Sequence, residues 1–214
     1  MSPSHRQPVK PERSLETLDW VGGHVAVDFA NTVGGIKVGA PENYLHGYPD
    51  LLSWCQQADL IGPQSRGYLS AGSERAQAAA FKEAEALQAS LRALFVAAIR
   101  HEVLPQDALD HLNSLVQKTA AWRRIGTCEG EGRKISCGWD FEGAPPYAVL
   151  GPIVWRAVEL LESGPLDRLK ECSGGDCASL YLDTSKNHSR QWCSMKVCGN
   201  VSKVRRFREK LKTA

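Results

Sequence analysis

CSGGDCASLYLDTSKNHSRQWCSMKVC, residues 172 to 198, holds two pairs of thiols. Cys172 and Cys177 are separated by four residues, fifteen more follow, and Cys193 and Cys198 repeat the four-residue interval. Two close pairs joined by a loop of this length can converge on a tetrahedral Zn²⁺ with each thiolate at about 2.3 Å. The intervals are wider than the common two-residue knuckle, but Gly174 and Gly175 suit the first turn and Gly199 follows the fourth cysteine. Four thiolates close the coordination shell and leave no place for a reactive water, so the spacing predicts one structural Zn²⁺ per chain. A redox thiol pair is the competing reading. His188 is a substitute ligand on paper, and with four thiols available it is read as solvated or phosphate-contacting.

Between the pairs, Leu180, Tyr181 and Leu182 read as a short strand, Asp183 to His188 as a polar turn, and Trp192 returns beside the third cysteine. After Cys198 the chain reads as a helix capped by Asn200 or Ser202, with Val201, Val204, Phe207 or Arg208, and Leu211 as an inward seam. Knuckle, hairpin, second knuckle and helix make a treble-clef-like arrangement. So small a segment cannot stabilise itself by apolar burial, whereas structural zinc contributes about 10 kcal/mol or more of apparent binding energy.

The formal net charge of +2 hides an asymmetry. From Lys186 onward nine cations face Glu209 alone, an excess of +8 that leaves −6 on the first 185 residues. A basic module on an acidic body points to a polyanionic partner. The candidate nucleic-acid-contacting residues are Lys186, Arg190, Lys196, Lys203, Arg205, Arg206, Arg208 and Lys210. Phosphate contact is the direct implication; reading of base edges is not visible in the pattern.

In the rest of the chain, HVAVDFANT (24–32) alternates Val25, Val27 and Phe29 with smaller or polar residues and is read as a strand running into the glycine-rich turn GGIKVG (34–39). Asp28, Asn31 and Thr32 at its end form a candidate ligand pocket, or equally a hydrogen-bond network that orders the turn. A short helix is expected from Pro49, with Cys55 in the core. A long one follows over 73–102, capped by Ser73 and apolar at Phe81, Leu87, Leu91, Leu94, Phe95 and Ile99. A third helix starts at Pro105, and 122–141 reads as a β-hairpin around EGEG, with Cys128 and Cys137 facing each other across it. A last helix spans about 146–163 and SGPLDR breaks it. The fold class is therefore α+β: a mainly helical N-terminal domain with a small β-sheet or hairpin, and a small four-cysteine zinc finger at the C-terminus. Residues 1–17 are assigned to a flexible tail, 18–165 to the body and 166–214 to the finger.

No apolar run approaches the ~20 residues of a membrane span, and MSPSHRQPVKPERS lacks the apolar middle of a signal peptide, which points to the cytoplasm. Seven cysteines, an odd number, fit thiolate or metal chemistry better than a disulfide framework. No nucleophile elbow, phosphate loop, dinucleotide fingerprint or paired-histidine motif is present, so a binding role is expected rather than catalysis.

RLKECSGGDCASLYLDTSKNHSRQWCSMKVCGNVSKVRRFRE (168–209) resembles the CGNR zinc finger family of bacterial regulators, through both cysteine pairs, LYLD, WCSM, CGN and the cluster Lys203 to Arg206. The resemblance implies that Cys172, Cys177, Cys193 and Cys198 bind zinc. The body is similar to the ABATE-type domain of stress-induced transcription regulators, through VAVDFANT, EALQASLRALFVA and the helix before the finger. Together they imply a DNA-binding transcription regulator whose N-terminal domain senses a small-molecule or protein effector or forms a homodimer; an RNA-binding or protein-interaction zinc module is the alternative. Two positions depart from the family pattern: Val201 stands where the family's namesake arginine is placed, and Gln191 where a second arginine precedes Trp192. Contacts at those two positions do not carry over.

Overall fold

The structure is a computed structural model that describes residues 14–34, 43–128 and 131–212, with the side chains of 128, 131–134, 163, 206, 210 and 212 set aside. The expected glycine turn after Gly34 lies outside these residues, as does most of the expected N-terminal tail.

HVAVDFANT is not a strand. Val25–Asn31 form helix α1, begun by His24, whose Nδ1 accepts from the Ala26 amide at 3.3 Å. The alternation misleads because α1 is buried nearly all round: Ala26, Val27, Phe29 and Ala30 are fully enclosed, so no solvent-facing side betrays a 3.6-residue period. The signal present was polar, since Asp28, Asn31 and Thr32 recur at helical spacing.

Helix α2 (Tyr48–Gln57) starts one residue before the expected proline and buries Leu51, Leu52, Trp54 and Cys55. Helix α3 (Pro63–Ser70), which the pattern does not announce, follows; only Leu69 is buried on it. Helix α4 (Glu74–Arg100) is the central scaffold, capped by Ser73 Oγ, which accepts from the Ala76 amide at 3.3 Å. Its buried face is Ala80, Ala84, Leu87, Leu91, Leu94 and Phe95, against which α1, α2 and α5 (Gln106–Ala120) pack.

Strands β1 (Arg123–Cys128) and β2 (Glu131–Trp139) form the expected antiparallel hairpin, but the register pairs Cys137 with Ile125 and Cys128 with Glu131, so the two cysteines do not face each other. A 3₁₀ turn (Pro146–Val149) leads into α6 (Leu150–Ser163). Trp139 anchors the hairpin base on α6: a Cβ at Gly151 would collide with its ring, and Arg123 stacks between Trp139 and Trp155 at 5.3 and 4.7 Å from the centroids.

The C-terminal segment opens with β3 (Leu169–Glu171), which pairs antiparallel with β4 (Leu180–Leu182). The hairpin therefore encloses the first cysteine pair, whereas the sequence suggested that β4 would lead into a hairpin closed after it. Leu169 and Leu180 belong to the main core with the body's helices. A π-turn (Met195–Gly199) runs directly into α7 (Asn200–Lys212). Asn200 joins the two: its backbone N–H closes the π-turn, and its Nδ2 donates to Lys196 O at 3.1 Å. The expected inward seam is outward. Val201, Val204, Phe207 and Leu211 are 50–65% exposed, because α7 projects from the finger and packs chiefly on the π-turn behind it.

Candidate metal centre and nucleic-acid surface

The Cys172 amide donates to Ser179 O at 2.9 Å just beyond the β3–β4 ladder, and a tight turn follows in which the Cys177 amide meets Gly174 O at 3.3 Å. A Cβ at Gly174 would sit 3.1 Å from Cys177 Cβ and 3.4 and 3.5 Å from the sulfurs of Cys198 and Cys172, so a side chain there would press on the cluster. The second pair is brought in by Trp192 and the π-turn, where the Gly199 amide reaches Ser194 O at 3.0 Å.

All four Sγ atoms lie within 4.8 Å of one another. Cys177 to Cys193 is 3.6 Å and Cys193 to Cys198 is 3.7 Å. Sulfurs at about 2.3 Å from a tetrahedral ion stand about 3.8 Å apart, so the donor set fits one Zn²⁺ and is far too open for a disulfide. Backbone donors orient the first ligand: the amides of Gly174 and Cys193 donate to Cys172 Sγ at 3.4 and 3.3 Å. In the thiol cluster itself, contacts from Cys172 and Cys193 hold the Cys177 thiol well below its usual range, whereas contacts from Cys172 and Cys177 push the Cys193 thiol up. Occupied by zinc, the site supplies folding energy and leaves no coordination position for chemistry. His188 stands outside it, with Nδ1 3.4 Å from Asp183 O.

Asp183, which the sequence reading passed over, organises the loop between the pairs. Although fully buried, its carboxylate accepts from Lys170 Nζ at 2.6 Å, Ser185 Oγ at 2.6 Å, the Ser185 amide at 3.0 Å and the Arg190 amide at 3.0 Å. Burial works against ionisation, but the Lys170 ammonium and the other donors hold the group well below the usual carboxylate range. The signal lay in the spacing of Asp183 and Ser185, an Asx-turn pattern at a strand end.

The basic residues divide by role. Lys186 is exposed on the Asp183 loop, Lys196 on the π-turn, and Lys203, Arg205 and Arg208 on α7. Arg206 and Lys210 belong to α7, with side chains outside the description. Arg190 faces inward: its guanidinium stacks on Tyr181 at 4.4 Å and donates to the carbonyls of Trp192, Cys193 and Val21. It ties the second pair to the N-terminal segment and is not free to take a phosphate.

Asp28, Asn31 and Thr32 do not converge on a shared pocket. Asp28 Oδ1 accepts the Gly22 amide at 2.7 Å; Thr32 Oγ1 donates to Phe29 O and accepts from Gln88 Nε2, each at 2.6 Å. Asn31 reaches the finger: its Nδ2 donates to Leu180 O at 2.8 Å and its Oδ1 accepts the Leu180 amide at 2.9 Å. It also lines a cleft of about 150 Å³ whose other walls include Leu18, Val21, Tyr44, Cys177 and Cys198.

No helix among the described residues is long and apolar enough to cross a membrane. No curated protein matches the chain. Two family models do: CGNR zinc finger over residues 168–210, and ABATE, described as a putative stress-induced transcription regulator, over residues 23–164. The second spans most of the chain and the first accounts for the four-cysteine centre, so the chain belongs to the ABATE family and ends in a CGNR zinc finger with one structural Zn²⁺.

Proposed function

We propose that this regulator binds DNA through the exposed cations of the finger, and that the N-terminal domain transmits a ligand or partner signal to it rather than performing catalysis. The observation that carries the reading is α7 itself: a projecting helix, rooted at a cysteine ligand, that exposes Lys203, Arg205 and Arg208 with one acid, Glu209, 3.2 Å from Arg205 Nε. An exposed pair of that kind contributes little, so the cations stay available to phosphates. Zinc at the root of the helix fixes where its basic face points.

Each neutralised phosphate contributes about −0.9 to the slope of log K against log salt. Replacing Lys203, Arg205 and Arg208 together by alanine is expected to flatten that slope by about 2 to 3 and to weaken binding to any duplex. Selection of bound sequences from random DNA tests whether bases are read; failure to retain any DNA at low salt contradicts the reading.

The apolar side of α7 favours a second reading. Val201, Val204, Phe207 and Leu211 form an exposed stripe that a protein partner would cover. Val201→Arg restores the family's cation and interrupts that stripe; under the DNA reading it tightens binding, and under the protein-partner reading it abolishes the complex.

A further inference from the structure

Strand β4 has two edges. Its inner edge pairs with β3, and its outer edge faces the body. No body strand among the described residues lies there, yet three outward polar groups are met: Leu180 N–H and C=O by the Asn31 carboxamide, and the Leu182 amide by Gly22 O at 2.7 Å. A carboxamide offers one donor and one acceptor in a fixed plane, so Asn31 stands in for one residue of a neighbouring strand. Two residues back toward Cys177, Arg92 Nη2 of α4 donates to Ala178 O at 2.7 Å. The segment leaving the second zinc ligand is thus held at three successive alternate positions by groups of the body. Asn31 is itself 5% exposed, and an unmet group there would be left out of reach of water.

We propose that Asn31 is a positioning residue of the zinc centre: through Leu180 it sets where the first cysteine pair stands, so that zinc binding and docking of the finger on the body are one coupled equilibrium. Coupling of this kind is reciprocal. Whatever factor the docking adds to zinc affinity, zinc adds to the docking, and a change at α1 reaches the root of α7 by the same bonds.

The test uses the full chain loaded with zinc and follows transfer of the metal to a colorimetric chelator. Asn31→Ala leaves both Leu180 groups unmet, and Asn31→Asp sets a carboxylate against Leu180 O; each is expected to weaken zinc retention by about tenfold or more. Phe29→Leu, in the same helix but bonded to no part of the finger, is the control for general destabilisation. The proposal is overturned if the Asn31 variants hold zinc as the unaltered chain does, or if Phe29→Leu at equal loss of thermal stability releases it as fast. Should the Asn31 variants not fold, amide exchange of the unaltered chain decides: removing zinc must speed exchange at Leu180 and Leu182 while Leu87 and Leu91 stay protected, and unchanged Leu180 exchange refutes the coupling.

Discussion

Asp28 shows how a single residue can be legible in chemistry and misread in setting. Its position before a turn suggested a polar pocket or, equally, a hydrogen-bond network ordering that turn; the fold places it under the chain at Val21 and Gly22, where burial pushes its carboxyl up to about 6 against the pull of those two amides. A carboxyl whose folded pKa lies above its unfolded value of about 3.9 favours the fold when protonated, so ionisation costs stability above a pH of about 6 and the cost is relieved as pH falls toward about 4. Asp28→Asn, neutral throughout, removes that dependence. The difference in unfolding free energy between the unaltered chain and the variant should therefore move in favour of the unaltered chain as pH is lowered from about 7 to about 4.5. A difference that stays flat by denaturant titration would contradict the assignment. The four cysteines were legible because the ligand set of a structural zinc site is carried by residue type and close spacing, both of which a sequence reports directly. Arg190 was not, because charge says nothing of direction, and its guanidinium turns toward Tyr181 and three carbonyls.

Among the elements, α4 was readable over nearly its whole length because its cap and apolar stripe agree with its place at the centre of the core. Helix α1 was not, since a short helix buried on all sides has no solvent-facing side, and its helical period shows only in the buried polar residues Asp28, Asn31 and Thr32. The hairpin was expected, but its cross-strand register depends on packing of residues distant in sequence. Trp139 fixes its base by lying over Gly151, where no side chain fits. Gly151→Ala should force the indole off α6 and lower stability by about 1–3 kcal/mol, the usual range for overpacking, despite alanine's better helix propensity. An unchanged melting temperature would mean that the hairpin does not depend on this contact. Helix α7 gave the clearest reversal: the stripe of Val201, Val204 and Leu211 was recognised, but apolar spacing on a helix does not specify that the chain itself covers it.

At the scale of the whole molecule, the division into body and finger suggested by the sequence passes through shared packing. Leu169 and Leu180 complete the body's core, Val21 packs against Cys172, Tyr181 and Cys193, and Asn31, Gly22 and Arg92 bond to the segment Ala178 to Leu182 that follows Cys177. The finger's own stability rests on zinc, at about 10 kcal/mol or more of apparent binding energy for sites of this kind. Its basic helix can thus be aimed by the metal on one side and by the body on the other. The most direct test is a fluorescence-anisotropy titration of a labelled DNA duplex at low salt, with the zinc-loaded chain and with the same chain after chelation. Saturable binding that weakens steeply with added salt and is lost on chelation is the predicted result; equal DNA binding with and without zinc, or none in either state, would contradict the account.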